Sequence, residues 1–344
     1  MAICGMICGA NDWENIALYA FTKRAFFDRF LDLPHGTPSA DTFSRVFSVL
    51  DPVQFEACYR EWLSQVVDSE EVAHIAIDGK TMRRSHDKKN NRPPLHIVSA
   101  FASDRGLFLG QVKTEEKSNE ITAIPELLDK LVLNGAVVTL DAMGCQHKIV
   151  EKIVERQGDY VIAVKGNQPT LERELKALFA EQMASNFVDP RVESIVQTEK
   201  NRGRIETRRL WCTDDLSSAP EASRWKNICS VALVESVRRE GDVETIEHRY
   251  YISSRASNAK ELTEVIRKHW SIENSLHWVL DMTFREDEWR VRERVSAENL
   301  SLLRKIALNT VKQDKTKKCS QRSKRNMAGW DDQYLAVLLK SMLI

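Results

Sequence analysis

The chain has no uninterrupted apolar run approaching the roughly 18 residues of a membrane-spanning helix, so no membrane partner is expected. It has no CxxC pair either. Seven cysteines are scattered along it, an odd number without repeating spacing, which fits reduced thiols and a cytoplasmic protein. It carries no net charge, which argues mildly against a nucleic-acid partner. That point weakens once position is considered, because Lys80–Arg92, Lys200–Arg209 and Lys312–Arg325 concentrate Lys and Arg. There is no internal repeat, no extended low-complexity segment and no P-loop, so no nucleotide cofactor is implied.

What is present is ordinary material for a globular chain. The 344 residues suggest two or three domains, and 42% hydrophobic with 29% charged residues suffices for a core. The start, MAICGMICGANDW, lacks the basic region of a signal peptide and reads as an interior turn of a helix. The chain is therefore expected to begin inside its natural domain.

Residues 1–70 read as a helical module. Asn15–Phe30 carries a broad apolar face, Ser39 or Asp41 can cap a helix through Phe43, Val46 and Leu50, and Asp51-Pro52 opens another to about Val67. The pattern changes at Ala73. His74–Ile77 reads as a strand stopped by Asp78-Gly79, and Leu95–Phe101 and Leu107–Val112 as a hairpin turning at Ser103–Gly106. Helix Glu120–Leu133, strand Ala136–Leu140 ending in Asp141, helix His147–Gln157, strand Tyr160–Val164 and helix Pro169–Met183 complete an α/β core with mixed strand directions over 71–184. Residues 185–256 read as a β-rich insertion with turns that include Asn201-Arg202-Gly203. Residues 257–311 return to helices, an Arg-rich stretch at Phe284–Arg294 among them. Residues 312–344 read as an exposed basic tail, Lys312–Asn326, then a short helix, Gln333–Leu343.

The chemistry gathers around RKHWSIENSLHWVLD. At helical period Leu262, Ile266, Trp270, Leu276 and Leu280 form one apolar stripe, with Glu273 in its middle and Trp270 and Trp278 expected in the core. A carboxylate on a core face is costly unless neutralised, paired or metal-bound. It could simply reach a buried Arg. Upstream, Asp78 and Asp141 each close an apolar strand, and ligands of open α/β sheets collect at the carboxyl ends of strands. Asp before Gly is also a common turn residue. If the strands are neighbours, the two carboxylates repel by roughly 4 kcal/mol at about 4 Å and an effective dielectric near ~20. Hard divalent cations, Mg2+ or Mn2+, turn that repulsion into binding. With Glu273 the set could hold two ions roughly 3.5–4 Å apart, the spacing suited to in-line displacement at phosphorus.

The segments IAIDGKTMRRS, EEKSNEITAIPELL, TLDAMGCQ, DYVIAVKGNQ, HRYYISS and HWSIENSLHWVLDMTFREDEWRVR, in this order, resemble the H-repeat-associated family of bacterial insertion-sequence transposases. The resemblance runs from about Ala10 to the C-terminus. It implies a DDE transposase with an RNase H-like mixed sheet flanked by helices, with Asp78, Asp141 and Glu273 as catalytic and metal-binding acids. It implies double-stranded DNA as partner, both element ends and target, and a homo-oligomer that synapses two ends. Two departures stand out. Related families with a Tyr/Arg/Glu/Lys signature carry Tyr, Arg and Lys where this chain has Ile266, His269 and Leu280, so His269 or His277 is expected to take over phosphate contact. Family members also usually have a further N-terminal segment.

Several residues read consistently with DNA. Lys80, Arg83 and Arg84 follow Asp78, Lys165 and Asn167 leave the strand at Val164, and Arg267 lies on the Glu273 helix. Arg290, Arg292 and Arg294 alternate as an extended segment along a backbone would require. Such contacts give position and salt-dependent affinity, and each Lys or Arg alone is also an ordinary surface charge. The lack of HExxH and of a second Glu-x-x-His helix argues against a zinc hydrolase or di-iron bundle. A DNA-binding remnant without activity, and an RNase H-like nuclease that cuts without joining, stay open beside the transposase.

Overall fold

The structure, a computed structural model, describes residues 1–66, 72–114, 120–201, 204–340 and 342. The EEKSN half of EEKSNEITAIPELL, Arg202-Gly203 of the expected turn, and the helix ends expected at Val67 and Leu343 lie outside the described residues. The chain divides into two compact units. A strand-rich unit comprises Val72–Asp78 and Glu120–Ser271, and a helix-rich unit comprises Met1–Glu71, Gly79–Asn119 and Ile272–Ile344.

The opening helices start where capping chemistry allows. They are α1 (Ala2–Ile7), α2 (Trp13–Thr22), α3 (Arg24–Phe27), α4 (Ala40–Val49) and α5 (Pro52–Val66). Asp12 accepts from the Asn15 amide at 2.6 Å, Ser39 from the Thr42 amide at 3.2 Å, and Asp51 from the Val53 amide at 2.8 Å just ahead of Pro52. Strand β1 (His74–Thr81) gives its first residues to the strand-rich unit and its last three to the other. In the helix-rich unit β2 (His96–Ala102) pairs antiparallel with β3 (Leu107–Thr114), with a bulge at Ala100/Phe101. Gly106 supplies the positive φ of +70° that their turn needs.

The strand-rich unit continues with α6 (Glu120–Asp129), β4 (Val137–Leu140), α7 (His147–Glu155), β5 (Asp159–Val164) and α8 (Pro169–Ala184), then β6 (Glu193–Asn201), β7 (Arg204–Thr213), β8 (Ser230–Glu240), β9 (Val243–Ser253) and α9 (Ala259–His269). Its strand order is β1-β4-β5-β9-β8-β7-β6, with β1, β4 and β5 parallel and the others antiparallel. The expected α/β class with a mixed sheet flanked by helices is what forms. The run read as an insertion, β6–β9, joins the sheet directly, because β9 pairs with β5 from Val161↔Ser253 to Val164↔Tyr250. One face of these strands is covered by Leu262, Val265 and Ile266 of α9, which pack with Val137, Val161, Leu210 and Val234. The i, i+3, i+4 spacing on α9 is the amphipathic stripe the sequence shows.

The helix-rich unit closes with a π-turn at Glu273–His277, then α10 (Trp278–Met282), α11 (Arg294–Gln313), α12 (Gln321–Trp330) and α13 (Asp332–Lys340). Its core is partly polar. Tyr59 stacks on Phe108 at 5.5 Å and donates to the Phe108 carbonyl at 2.6 Å, while Asn309 donates to the Tyr59 hydroxyl at 2.6 Å. The expected exposed tail is only partly so. Lys315–Ser320 is exposed, but α12 buries Lys324 and Arg325. Lys324 donates to the Asp314 carbonyl at 2.5 Å, and Arg325 donates to the Met6 carbonyl at 2.9 Å and lies 3.9 Å over the Phe284 ring. Lys324 is taken up within its own run and Arg325 by a residue at the far end of the chain, a burial that a local reading of the tail misses.

Candidate metal centre

In the strand-rich unit, β1 and β4 are parallel neighbours whose last registered pair is Ile77↔Leu140. Asp78 and Asp141 are the next residue of each, so their backbones lie at neighbouring positions of two adjacent strands, which run about 4.8 Å apart, with β4 ending at Leu140. Asp78 is half-buried and Asp141 is exposed. One expectation is corrected here: β1 does not stop at Asp78-Gly79 but runs on to Thr81. β4 does end, and Asp141 accepts from the Met143 and Gly144 amides at 3.0 and 3.3 Å, capping a short 3-10 turn, Ala142–Gly144. Gly144 is required there, since a Cβ would meet the Leu140 Cβ at 2.9 Å. Carboxylates are hard, anionic oxygen donors, the kind a divalent cation such as Mg2+ or Mn2+ takes.

The loop after β5 is tied to the same turn. Asn167 donates to the Ala142 carbonyl at 2.6 Å and Gln168 to the Cys145 carbonyl at 2.8 Å, while Lys165 is exposed. Arg267 is engaged elsewhere in this unit, with Gln197 at 3.0 Å and Glu199 at 2.5 Å on β6. A chain the sequence reading missed runs behind Asp141. The Thr139 hydroxyl lies 3.0 Å from Nδ1 of His269 and 3.3 Å from Nε2 of His74. Burial, with His269 and Lys268 nearby, pushes buried His74 down to about 3, so it stays neutral. Period-two alternation puts Thr139 on the same face of β4 as Asp141, which is the signal that could have revealed it.

Glu273 sits in the helix-rich unit, on the π-turn. Its side chain is 56% exposed, not part of a buried stripe. A regular helical wheel fails because the turn is not regular. A π-turn holds one residue more than an α-turn, which rotates everything after it by about 100°. Leu276, His277 and Leu280 therefore face inward while Glu273 and Trp278 face out. Trp270 and Trp278, expected in the core, are 47% and 56% exposed. His277 is buried, and its Nδ1 lies 3.2 Å from Oε2 of Glu273. This hydrogen bond outweighs desolvation and holds Glu273 below the ordinary carboxylate range, with Lys80 adding to the pull.

Lys80 also differs from a phosphate grip. Its ammonium lies 2.7 Å from Asp281, 3.2 Å from Glu286 and 3.4 Å from Asp287. Burial works against that charge, yet the three carboxylates outweigh it and hold Lys80 above the ordinary lysine range. Arg83 is exposed and lies 3.3 Å from Asp287, and Arg84 donates to the Glu288 carbonyl at 3.2 Å. Arg290 and Arg292 are exposed on an extended segment whose Val291 turns inward to Met82, Leu95 and Ile97, while Arg294 donates to the Pro93 carbonyl at 2.7 Å. No helix among the described residues is long and apolar enough to cross a membrane.

Residues 71–310 match the family described as Transposase DDE domain, and residues 1–63 match one described as DDE_Tnp_1-associated. The H repeat-associated putative transposase YhhI of Escherichia coli (strain K12) is 39% identical over 98% of this chain and 90% of that protein. The putative transposase YncI of Escherichia coli O157:H7 is 38% identical over 99% of this chain and 88% of that protein. A solved piggyBac transposase synaptic complex with hairpin DNA aligns over 99% of this chain and 70% of that one, with a TM-score of 0.43 at 12% identity, too distant to carry a functional reading.

Proposed function

The chain belongs to the transposase DDE-domain family, and from that premise we propose that it is a DDE transposase with an RNase H-like core, cutting DNA at insertion-sequence ends and joining those ends to target DNA. The observation that supports this reading is the parallel register of β1 and β4, in which Asp78 and Asp141 each follow the last registered pair, Ile77↔Leu140. Asp78, Asp141 and Glu273 are the acids that hold two Mg2+ or Mn2+ ions. When bound, the ions supply a more acidic attacking water or 3′-hydroxyl and charge stabilisation for the leaving oxygen. The chain's own residues do the remaining work. Asp141 keeps its carboxylate fixed through the Met143 and Gly144 amides, and His277 keeps Glu273 ionised and oriented. Arg83, Arg84, Lys165, Arg290 and Arg292 offer charge to the phosphates of double-stranded DNA, and Asn167 supports the Asp141 turn from the same loop as Lys165. Lys80 and Arg267 contribute less to DNA, because nearby carboxylates already hold their charge. A homo-oligomer that brings two ends together, working in the cytoplasm at the nucleoid, completes the reading.

The test is Mg2+- or Mn2+-dependent cleavage and strand transfer on DNA carrying the element's own ends, with Asp141→Asn beside wild type. Joined product from wild type alone is the expected result. Cleavage without joining would make the protein an RNase H-like nuclease. A folded protein that binds the ends without cutting them would make it a remnant.

A further inference from the structure

Lys312 stands in the last turn of α11, where the sequence suggests the start of an exposed basic tail. Its ammonium turns inward instead. It donates to the Ser275 carbonyl at 2.7 Å and to the Gly106 carbonyl at 3.0 Å, and lies 4.7 Å from the centroid of buried Phe101. Ser275 is inside the π-turn, two residues after Glu273, and Gly106 is the turn of the β2–β3 hairpin. Among the described residues no carboxylate lies within ion-pair distance of this ammonium, and burial pulls it down to about 7. A cation withdrawn from water against carbonyls alone is costly, and an apolar side chain of similar length would pack on Phe101 without that cost. The contact that offsets it must come from the charge and its donors. In a π-turn the backbone bonds run one residue further than in an α-helix, so the turn is intrinsically weaker and depends on outside support. Lys312 ties one of its carbonyls to a rigid hairpin.

We propose, on the reading of Glu273 as the third acid, that Lys312 is a positioning residue: it clamps the Ser275 carbonyl and so fixes the π-turn from which Glu273 projects. Lys312→Met keeps the aliphatic stem against Phe101 and removes the ammonium. In the full chain, hydrogen exchange of amides from Glu273 to Met282 should accelerate by about tenfold or more, with the β2–β3 hairpin unchanged. Mn2+ binding, measured by titration with the metal alone, should weaken by about 10–100-fold, the range found when support behind a ligand is removed. With end DNA as substrate, kcat should fall while KM for DNA stays put. Lys312→Arg, which keeps charge and donors, should restore slow exchange, and it decides the matter if the Met variant does not fold. Wild-type exchange and Mn2+ affinity in Lys312→Met would overturn the proposal, as would an Arg variant whose π-turn exchanges no more slowly than that of an apolar variant. Glu273→Gln keeps the two readings apart. If it cleaves like wild type, Glu273 leaves the metal centre, while the exchange result on the π-turn stands by itself.

Discussion

The two units bury different things. The strand-rich unit closes over Val137, Val161, Leu210, Val234, Leu262 and Ile266, and its buried His74 is kept neutral. The helix-rich unit buries charge. Arg304 is 3.8 Å from Glu286 and 5.1 Å over Trp289, and Lys305 is 3.1 Å from Ser99 and 2.6 Å from Gln111, while Lys324 and Arg325 are buried on α12. Burial of Glu286 alone would raise it, but Lys80, Arg304 and Lys305 outweigh that and hold it down at about 2. Packing apolar faces is the cheaper route to stability. A buried charge with one allowed partner set instead fixes which segments meet, and in the helix-rich unit those segments are the hairpin, α11 and the stretch that follows Glu273.

The comparison can be broken or sharpened by experiment. The largest effect is expected in the three proposed acids. Asp78→Asn, Asp141→Asn and Glu273→Gln should each cut the cleavage rate by at least about 10²–10³-fold with DNA binding largely kept, the scale of losing one group that stabilises developing charge. Any one that cleaves at wild-type rate leaves the site. Next come the cores. Glu286→Gln should cost about 3–5 kcal/mol in urea unfolding, since it removes the ion-pair partner of buried Arg304. Leu262→Ala, in the strand-rich unit, should cost about 2–5 kcal/mol as a cavity. The contrast drawn above predicts that Glu286→Gln with Arg304→Met recovers part of the first loss, and it dissolves if the double variant is worse than the sum of its parts.

Acid separates the units further. The folded pKa of His74, about 3, lies below the ordinary 6.5, so its contribution is full above 6.5 and is lost as pH falls towards 3. Its size is on the order of a few kcal/mol. Glu286 is also depressed, from 4.5 to about 2, so its contribution persists until pH falls below 4.5. Hydrogen exchange at pH 5, corrected for intrinsic rates, should therefore show protection falling first in β1 and β4. Equal loss in both units would remove His74 from the account. The smallest effect is at Arg267, whose exposed pairs with Gln197 and Glu199 should make Arg267→Ala cost under about 1 kcal/mol of stability. A larger drop in end-DNA affinity than in stability would return Arg267 to the DNA surface.

Much of this was legible in the residues. The short apolar runs His74–Ile77 and Ala136–Leu140 mark two buried strands, and Asp141 with Ala142-Met143-Gly144 marks a strand end, as found. Ser39, not Asp41, caps α4, a choice the sequence left open because both side chains can accept from the first turn. The stripe through Leu262 and Ile266 holds, then fails at Trp270, because α9 ends at His269 and a helical wheel extrapolates past that end. The contacts of Lys80 with Asp281, His277 with Glu273 and Lys312 with the Ser275 carbonyl are not written in the residues beside them, because each depends on how the chain folds back or turns.

By itself the sequence determined the order of helices and strands and where most of their turns and caps fall. Those follow from side-chain period and local turn chemistry, which need only neighbours a few residues away. Tertiary structure alone decided that β9 pairs with β5, that Glu273 faces outward from a π-turn, and which lysines are buried. The reason is that a buried charge or an added helical residue is stable only through partners far along the chain, as Lys305 shows with Ser99 and Gln111.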